Sequence, residues 1–403
     1  MQNLNCVGAM DKLILRKEVE DELTGDILPY WMNMMRDDDN GGFYGRISGE
    51  GLLVPEAEKG AILNARILWT FSSAYRILRR EEYLSAACRA KRYVIDCFYD
   101  RLYGGVFWSL DYKGHPLDTK KQIYAIAFTI YGLSEFYRAT GDKEALDYAV
   151  LLFEDIESHS FDSLQDGYLE AFTREWDRIE DMRLSEKDEN ESKTMNTHLH
   201  ILEAYTSLYR VWKNERLREQ LVRLIGLFTD RIIDPVTGHL QLFFDDDWTV
   251  KRKIFSYGHD IETSWLLHEA ALVAGDSDVL DKVLPMVRRV ALAADEGLCA
   301  DGSLVYETLE DEGVTDSERH WWVQAENVVG QLNLHQHFGD EVALERAYSG
   351  WEFIKAHLID REGGEWFWSV DSDGRVNRKD DKAGFWKCPY HNGRMCMEVM
   401  ERL

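Results

Sequence analysis

A glycine-aromatic segment recurs six times along the chain, and its spacing limits the possible folds more than any other feature. The copies are Gly41-Gly42-Phe43-Tyr44, Gly104-Gly105-Val106-Phe107-Trp108, Asp166-Gly167-Tyr168, Gly238-His239-Leu240-Gln241-Leu242-Phe243-Phe244, Asp301-Gly302-Ser303-Leu304-Val305-Tyr306 and Gly363-Gly364-Glu365-Trp366-Phe367-Trp368. From the last glycine of one to that of the next, the steps are about 63, 62, 71, 64 and 62 residues. A fixed period of this size marks a repeated supersecondary unit. Second turn signals such as Tyr112-Lys113-Gly114 and Asp371-Ser372-Asp373-Gly374, with the alternating aromatics, predict a short hairpin in each unit.

Two helices follow each hairpin. The first kind, over 64–79, 122–138, 195–212, 260–274, 326–337 and 392–403, is apolar almost all round, as in Ile123-Tyr124-Ala125-Ile126-Ala127-Phe128. Such helices must be covered on most sides. The second kind, over 82–100, 143–158, 215–234, 278–295 and 341–360, with 16–35 as a sixth, carries one apolar stripe. Leu217, Leu221, Leu224, Ile225 and Phe228 show its three- and four-residue spacing. Six inner and six outer helices predict an all-α protein, an (α/α)6 barrel of twelve helices with short hairpins and loops at one mouth. Closed helical barrels reach 403 residues as one unit, and with only 6 Pro and no Gly/Ser-rich linker the expected organisation is a single catalytic domain over 1–403. The longer step contains the charged stretch 175–193, read as a solvated insertion over the mouth with the alternative role of a lid.

Composition excludes several classes. A net charge of −26 repels a phosphate backbone, and no Lys/Arg stripe offsets it, so nucleic acid is not an expected partner. No run of 18 apolar residues and no basic-then-apolar start occurs, so neither a membrane span nor secretion is expected. The six cysteines, Cys6, Cys88, Cys97, Cys299, Cys388 and Cys396, stand singly and read as reduced thiols of a cytoplasmic protein. Thirteen Trp supply both core and surfaces that stack on sugars.

If the first-kind helices are inner staves, their starts share one end of the barrel. Asn64 and Arg66, Tyr124, Asn196 with His198 and His200, His259 with Glu262 and Trp265, Trp321 and Trp322 with Glu326, and Trp386, His391 and Arg394 stand there. Polar groups on apolar helices are costly to bury unless they face a pocket or each other. The stretch Ser256-Tyr257-Gly258-His259-Asp260-Ile261-Glu262-Thr263-Ser264-Trp265 reads as a loop entering a helix, with His259 and Glu262 one turn apart as a candidate acid/base pair. Each residue also has a plain structural reading. A His-Glu pair at this spacing is ordinarily a solvated helix face, a Trp on an inner helix is ordinarily core, and Arg66 is able to pair with Glu262 or Glu326. His198 and His200, two apart, point in different directions, so at most one faces the lumen. No metal is expected, since HxxxH and HExxH spacings are missing.

The segments Met195-Asn196-Thr197-His198-Leu199-His200-Ile201-Leu202-Glu203-Ala204-Tyr205, His259-Asp260-Ile261-Glu262-Thr263-Ser264-Trp265 and Lys387-Cys388-Pro389-Tyr390-His391-Asn392-Gly393-Arg394 resemble the motifs of the N-acylglucosamine 2-epimerase superfamily, in order and over essentially the whole chain. The residues after His259 are most similar to its disaccharide-acting branch. The resemblance implies an (α/α)6 barrel that inverts C2 of the reducing-end glucose in β-1,4-linked disaccharides, turning cellobiose into glucosyl-mannose and lactose into epilactose. It implies His259 and His391 as the acid/base pair, His200 and Arg66 at the carbonyl end, and Glu262 as the partner of His259. Tyr124, Asn196, Trp322, Glu326 and Trp386 match substrate-binding positions, and Trp265 is expected beside them. No cofactor is expected, since nothing is oxidised overall, and the expected partner is a small disaccharide, with the protein a monomer or weak homodimer. Three other readings stay open: a superfamily branch acting on N-acylglucosamine or free mannose, an α/α-barrel glycoside hydrolase using Glu262 and Glu326, and a sugar-binding protein without turnover.

Overall fold

The computed structural model describes residues 9–185 and 188–403; Cys6, Glu186 and Lys187 lie outside them. Six inner helices, α3 (Ala61–Leu78), α5 (Ile123–Thr140), α7 (Met195–Val211), α9 (Tyr257–Ala274), α11 (Trp321–Phe338) and α13 (His391–Arg402), touch in ring order, and α13 returns to α3. Around them pack α1 (Ala9–Glu22), continued through a widened turn into α2 (Leu28–Asn33), and α4 (Glu81–Tyr93), α6 (Lys143–His159), α8 (Glu215–Leu227), α10 (Ser277–Ala294) and α12 (Glu341–Phe353). The first outer helix rests on the last stave, α1 on α13. The (α/α)6 barrel expected from the repeat is the observed architecture. Among the described residues, no helix is long and apolar enough to cross a membrane.

Short strands stitch neighbouring units at one mouth. The residues just before each inner helix pair antiparallel with the hairpin of the next unit: Lys59↔Leu110, Lys121↔Phe172, Lys193↔Phe244, Ser256↔Glu307 and His320↔Ser369. A bridge between Ile47 and Ala383 joins the last unit to the first. The glycine in each hairpin makes a turn that other residues resist. Gly42 has φ +62°, and a Cβ there would lie 2.6 Å from the Tyr93 ring, so both backbone and space call for glycine.

A buried ion pair fastens several hairpins to the strand that leads into an inner helix. Lys59 donates to Asp37 at 2.7 Å, Lys121 to Asp100 at 3.0 Å and Lys193 to Asp162 at 2.8 Å, and Lys382 meets Asp360 in the last unit. Losing one partner would strand a buried charge, so these pairs fix where each stave begins. In the fourth unit, Asp234 instead receives the Gln241 amide at 3.0 Å, and His239 stacks on Phe255 at 4.0 Å.

Three staves begin earlier than the sequence predicts. Helix α3 starts at Ala61, α9 at Tyr257 and α11 at Trp321. His259 is therefore in the first turn of a helix, not in a loop before it, and Trp321 and Trp322 are helical. Gly60, Ser256 and His320 precede these helices without a side-chain cap bond; the strand pairing sets the start, and of the three only Ser256 is a strong cap former, its hydroxyl engaged elsewhere.

Candidate active site

The stave starts open into a cavity of about 740 Å³. Its wall includes Arg66, Tyr124, Asn196, His200, His259, Glu262, Trp321, Trp322, Trp386 and His391, so ten of the residues singled out from sequence share one hollow. Trp322 touches both outer histidines, with ring centres 4.8 Å from His259 and 5.6 Å from His391. The Oδ1 of Asn196 is buried without a partner, an acceptor left open on the cavity wall.

The two neighbouring histidines of α7 divide as their spacing requires. His198 is core: its Nδ1 meets Thr194 O at 2.6 Å and its Nε2 accepts from Tyr168 N at 2.9 Å. His200 reaches the cavity, its Nδ1 held by Glu203 at 2.9 Å.

Arg394, fully buried, organises the floor. Its Nη2 donates to Glu262 and to Glu326, each at 2.6 Å, and its Nη1 meets Glu203 and the Tyr390 hydroxyl. Glu326 holds His391 Nδ1 at 2.7 Å with the oxygen that Arg394 binds, and receives Trp265 Nε1 on the other at 3.0 Å. Burial pushes Glu203, Glu262 and Glu326 up, and the Arg394 charge opposes it. Glu262, Glu326 and His391 bring one ligand atom each within 4.8 Å of one another. The cation among them is the Arg394 guanidinium, which occupies the carboxylate oxygens a metal ion would need.

Three expectations change here. Glu262 is not the partner of His259, because the guanidinium draws its carboxylate toward α13; His259 Nδ1 lies 2.8 Å from the Ser256 hydroxyl instead. Trp265 and Glu326 do not line the cavity. They stand behind His391, with Trp265 only 1% exposed and stacked 4.7 Å from the Arg394 guanidinium. Arg66 does not pair with a carboxylate: among the described residues its guanidinium donates to the Tyr124 hydroxyl at 2.8 Å and to Trp386 O at 3.4 Å, and lies 4.1 Å from the Phe128 ring centre. Its Nε has no partner.

Burial keeps the imidazoles neutral. His200 and His259 are each held down to about 3, and His391 is also lowered, all because desolvation disfavours the charged ring.

Described residues of the insertion 175–193 line the hollow. Met182, Arg183, Leu184, Ser185 and Asp188 line it, the Gln122 amide donates to Met182 O and Arg183 O, and Arg252 bridges Glu189 at 2.7 Å to Glu312 at 3.1 Å. Sequence reasoning missed Ser256, Glu170 and Glu203. Ser256 falls in the stretch that the sequence reads as a loop, Glu170 reaches the pocket wall only in the closed ring, and Glu203 stands one turn from His200 on α7, the same spacing that singled out Glu262 beside His259.

A twelve-helix barrel with its imidazoles held neutral in one sugar-sized hollow is built as a carbohydrate isomerase. The pattern of the N-acylglucosamine 2-epimerase (GlcNAc 2-epimerase) family matches residues 42–393, and the chain belongs to that family. It is 65% identical to a cellobiose 2-epimerase of Bacteroides fragilis, over 96% of this chain and 99% of that one. A second, from Ruminococcus albus, is 46% identical over 96% and 98%. The solved cellobiose 2-epimerase of Bacillus thermoamylovorans B4167 superposes with a TM-score of 0.93 at 43% identity, covering 97% of this chain and 100% of that structure.

Proposed function

We propose that this enzyme epimerises cellobiose at C2 of its reducing-end glucose, giving glucosyl-mannose, and lactose likewise to epilactose. The open-chain sugar loses the proton α to its carbonyl and regains it on the other face, through an enediolate. His259 and His391 flank the reacting carbon as the proton carriers, since both meet the one indole of Trp322. Each is neutral at rest and so able to accept a proton. His200 and Arg66 hold the carbonyl oxygen, with Tyr124 orienting the guanidinium. Asn196, Trp322 and Trp386 bind the sugar. Glu262 shapes the floor from the Arg394 network.

The observation that carries this reading is the state of Arg66. A buried guanidinium without a carboxylate partner among the described residues is a positive charge left for something that is negative only during reaction, such as the enediolate oxygen. A hydrolase would need two carboxyls acting separately across the scissile bond; Glu262 and Glu326 instead share one nitrogen of Arg394. The free thiols of Cys88, Cys97, Cys299, Cys388 and Cys396 support a cytoplasmic site of action.

Incubation with cellobiose in heavy water tests it. The expected product is glucosyl-mannose carrying deuterium at C2, with deuterium also entering recovered cellobiose. Free glucose, or a disaccharide recovered without exchange, refutes the proposal.

A further inference from the structure

Three cavity histidines use their Nδ1 in two different ways. His200 and His391 present theirs to carboxylates, Glu203 at 2.9 Å and Glu326 at 2.7 Å, and both carboxylates belong to the Arg394 network. His259 presents its Nδ1 to a neutral hydroxyl, Ser256 Oγ at 2.8 Å. No carboxylate lies within ion-pair reach of His259 among the described residues.

Ser256 holds the position from which serine ordinarily caps a helix. It directly precedes α9 with extended backbone, φ −98° and ψ 94°, yet its hydroxyl makes no cap bond. Thr194, in the same place before α7, uses its hydroxyl as a cap, accepting from Thr197 N at 3.1 Å. Unit four therefore forgoes a stabilising cap and spends the hydroxyl on an imidazole. Ser256 is itself fixed, 3% exposed and paired in register with Glu307 of the neighbouring hairpin.

We infer that Ser256 is a positioning residue for His259: it holds the ring so that Nε2, the nitrogen left free, addresses the cavity, and it does so in either protonation state. The ring keeps Nδ1–H whether Nε2 is bare or protonated, and the hydroxyl oxygen accepts from it in both states, so the contact survives while Nε2 gains and loses a proton. A carboxylate would hold the same tautomer but would also favour the charged ring; the neutral hydroxyl orients the imidazole without adding that charge. The two proton carriers thus differ in design, His391 backed by an anion and His259 by a dipole. The Trp322 indole packs against His259 at a tilt of 50°, and the hydroxyl fixes the ring's rotation.

This inference rests on the proposed C2 epimerisation, and its test separates the two. Ser256→Thr keeps a hydroxyl, whereas Ser256→Val has nearly the same shape without one; Ser256→Ala removes both. The Val and Ala variants are expected to lose about 10- to 100-fold in kcat on cellobiose with KM within about twofold, as misorientation of a reacting group does. The Thr variant should stay within about threefold of the parent. Nitrogen NMR of the ligand-free enzyme supplies a readout independent of turnover: the His259 Nδ1 signal should move in the Val and Ala variants and stay in the Thr variant. Equal rates for Thr and Val, or an unmoved Nδ1 signal in both Val and Ala, overturn the inference. A parent enzyme that leaves cellobiose unchanged defeats the epimerase reading alone, and the NMR series still decides the contact.

Discussion

The Nδ1 of His391 lies 2.7 Å from Oε1 of Glu326, and that carboxylate is itself absent from the cavity wall. On the proposed mechanism Glu326 reaches the sugar only through the imidazole, and Trp265, donating to its other oxygen at 3.0 Å, acts one step further back. Trp265→Phe keeps the stacked ring and removes the N–H. Its expected result is a kcat lower by about 10-fold with KM for cellobiose unchanged, the pattern of a lost transition-state interaction. Steady-state kinetics check this; a raised KM at constant kcat would instead mark Trp265 as a sugar-binding surface.

Among the described residues, Arg394 is the one cation hydrogen-bonded to Glu203, Glu262 and Glu326. Replacing it by Met leaves three buried carboxylates, each already pushed up by desolvation, to meet without compensation. Breaking a buried ionic cluster this way costs about 3–5 kcal/mol. Urea unfolding of Arg394→Met should show a loss of that order, and one below about 1 kcal/mol would mean that the carboxylates are neutral in the parent.

The barrel was legible because its period is written in residues that tolerate little exchange: glycines at positive φ under aromatic neighbours, and staves too apolar to face water. Stave starts were less legible. Ala61 and Trp321 follow paired strands that no local capping residue announces, and Tyr257 follows a serine whose hydroxyl makes no cap bond. Much of the cavity's lining could be listed because Arg66, His200, His259 and His391 all fall in the first two turns of their staves. Their partners were less legible: Glu203 and Ser256 stand one turn from His200 and His259, but Glu326 and Tyr124 reach His391 and Arg66 from other staves. Ser256 looks like a cap, and Glu262 sits one helical turn from His259 yet points at an arginine 132 residues away. Side-chain choice among near neighbours is settled by charges from other staves, which no local window contains.

Acid and alkali should each weaken the fold through different groups. His198, His200 and His259 have folded pKa values near 4, 3 and 3, below the ordinary 6.5. Their contribution is present above pH 6.5 and is lost as pH falls, because the unfolded chain binds protons that the folded one refuses. Glu170, on the cavity wall, is shifted the other way: burial raises it to about 8 from 4.5. Its contribution is complete below pH 4.5 and is lost as pH rises through about 8. Thr194 N donates to one of its oxygens at 2.7 Å, and the other lies 2.5 Å from the Thr197 hydroxyl, a pattern that glutamine reproduces. Glu170→Gln should therefore flatten the decline in thermal midpoint between pH 6 and 9, which a melting series across that range measures. An unchanged alkaline slope would place the titrating group elsewhere.

Arg66 sets function against stability. Its charge is buried, held by the Tyr124 hydroxyl and a backbone carbonyl, stacked near Phe128 and Tyr390, and paired with no carboxylate among the described residues. Folding must desolvate that charge without an ion-pair return. If the guanidinium is kept for the enediolate oxygen, Arg66→Met should lower kcat/KM for cellobiose by about 10²–10³-fold, the effect of losing an oxyanion donor. It should also unfold at the same or a higher urea concentration than the parent, since an aliphatic chain of similar length replaces a costly ion. Arg66→Lys keeps the charge but not the fork that reaches Tyr124 and the sugar together. It should keep little of the activity and gain none of the stability. Should Arg66→Met destabilise the barrel strongly while residual molecules turn over at the parent rate, the guanidinium would be a structural post, and the negative charge of the intermediate would have to be met by His200 alone.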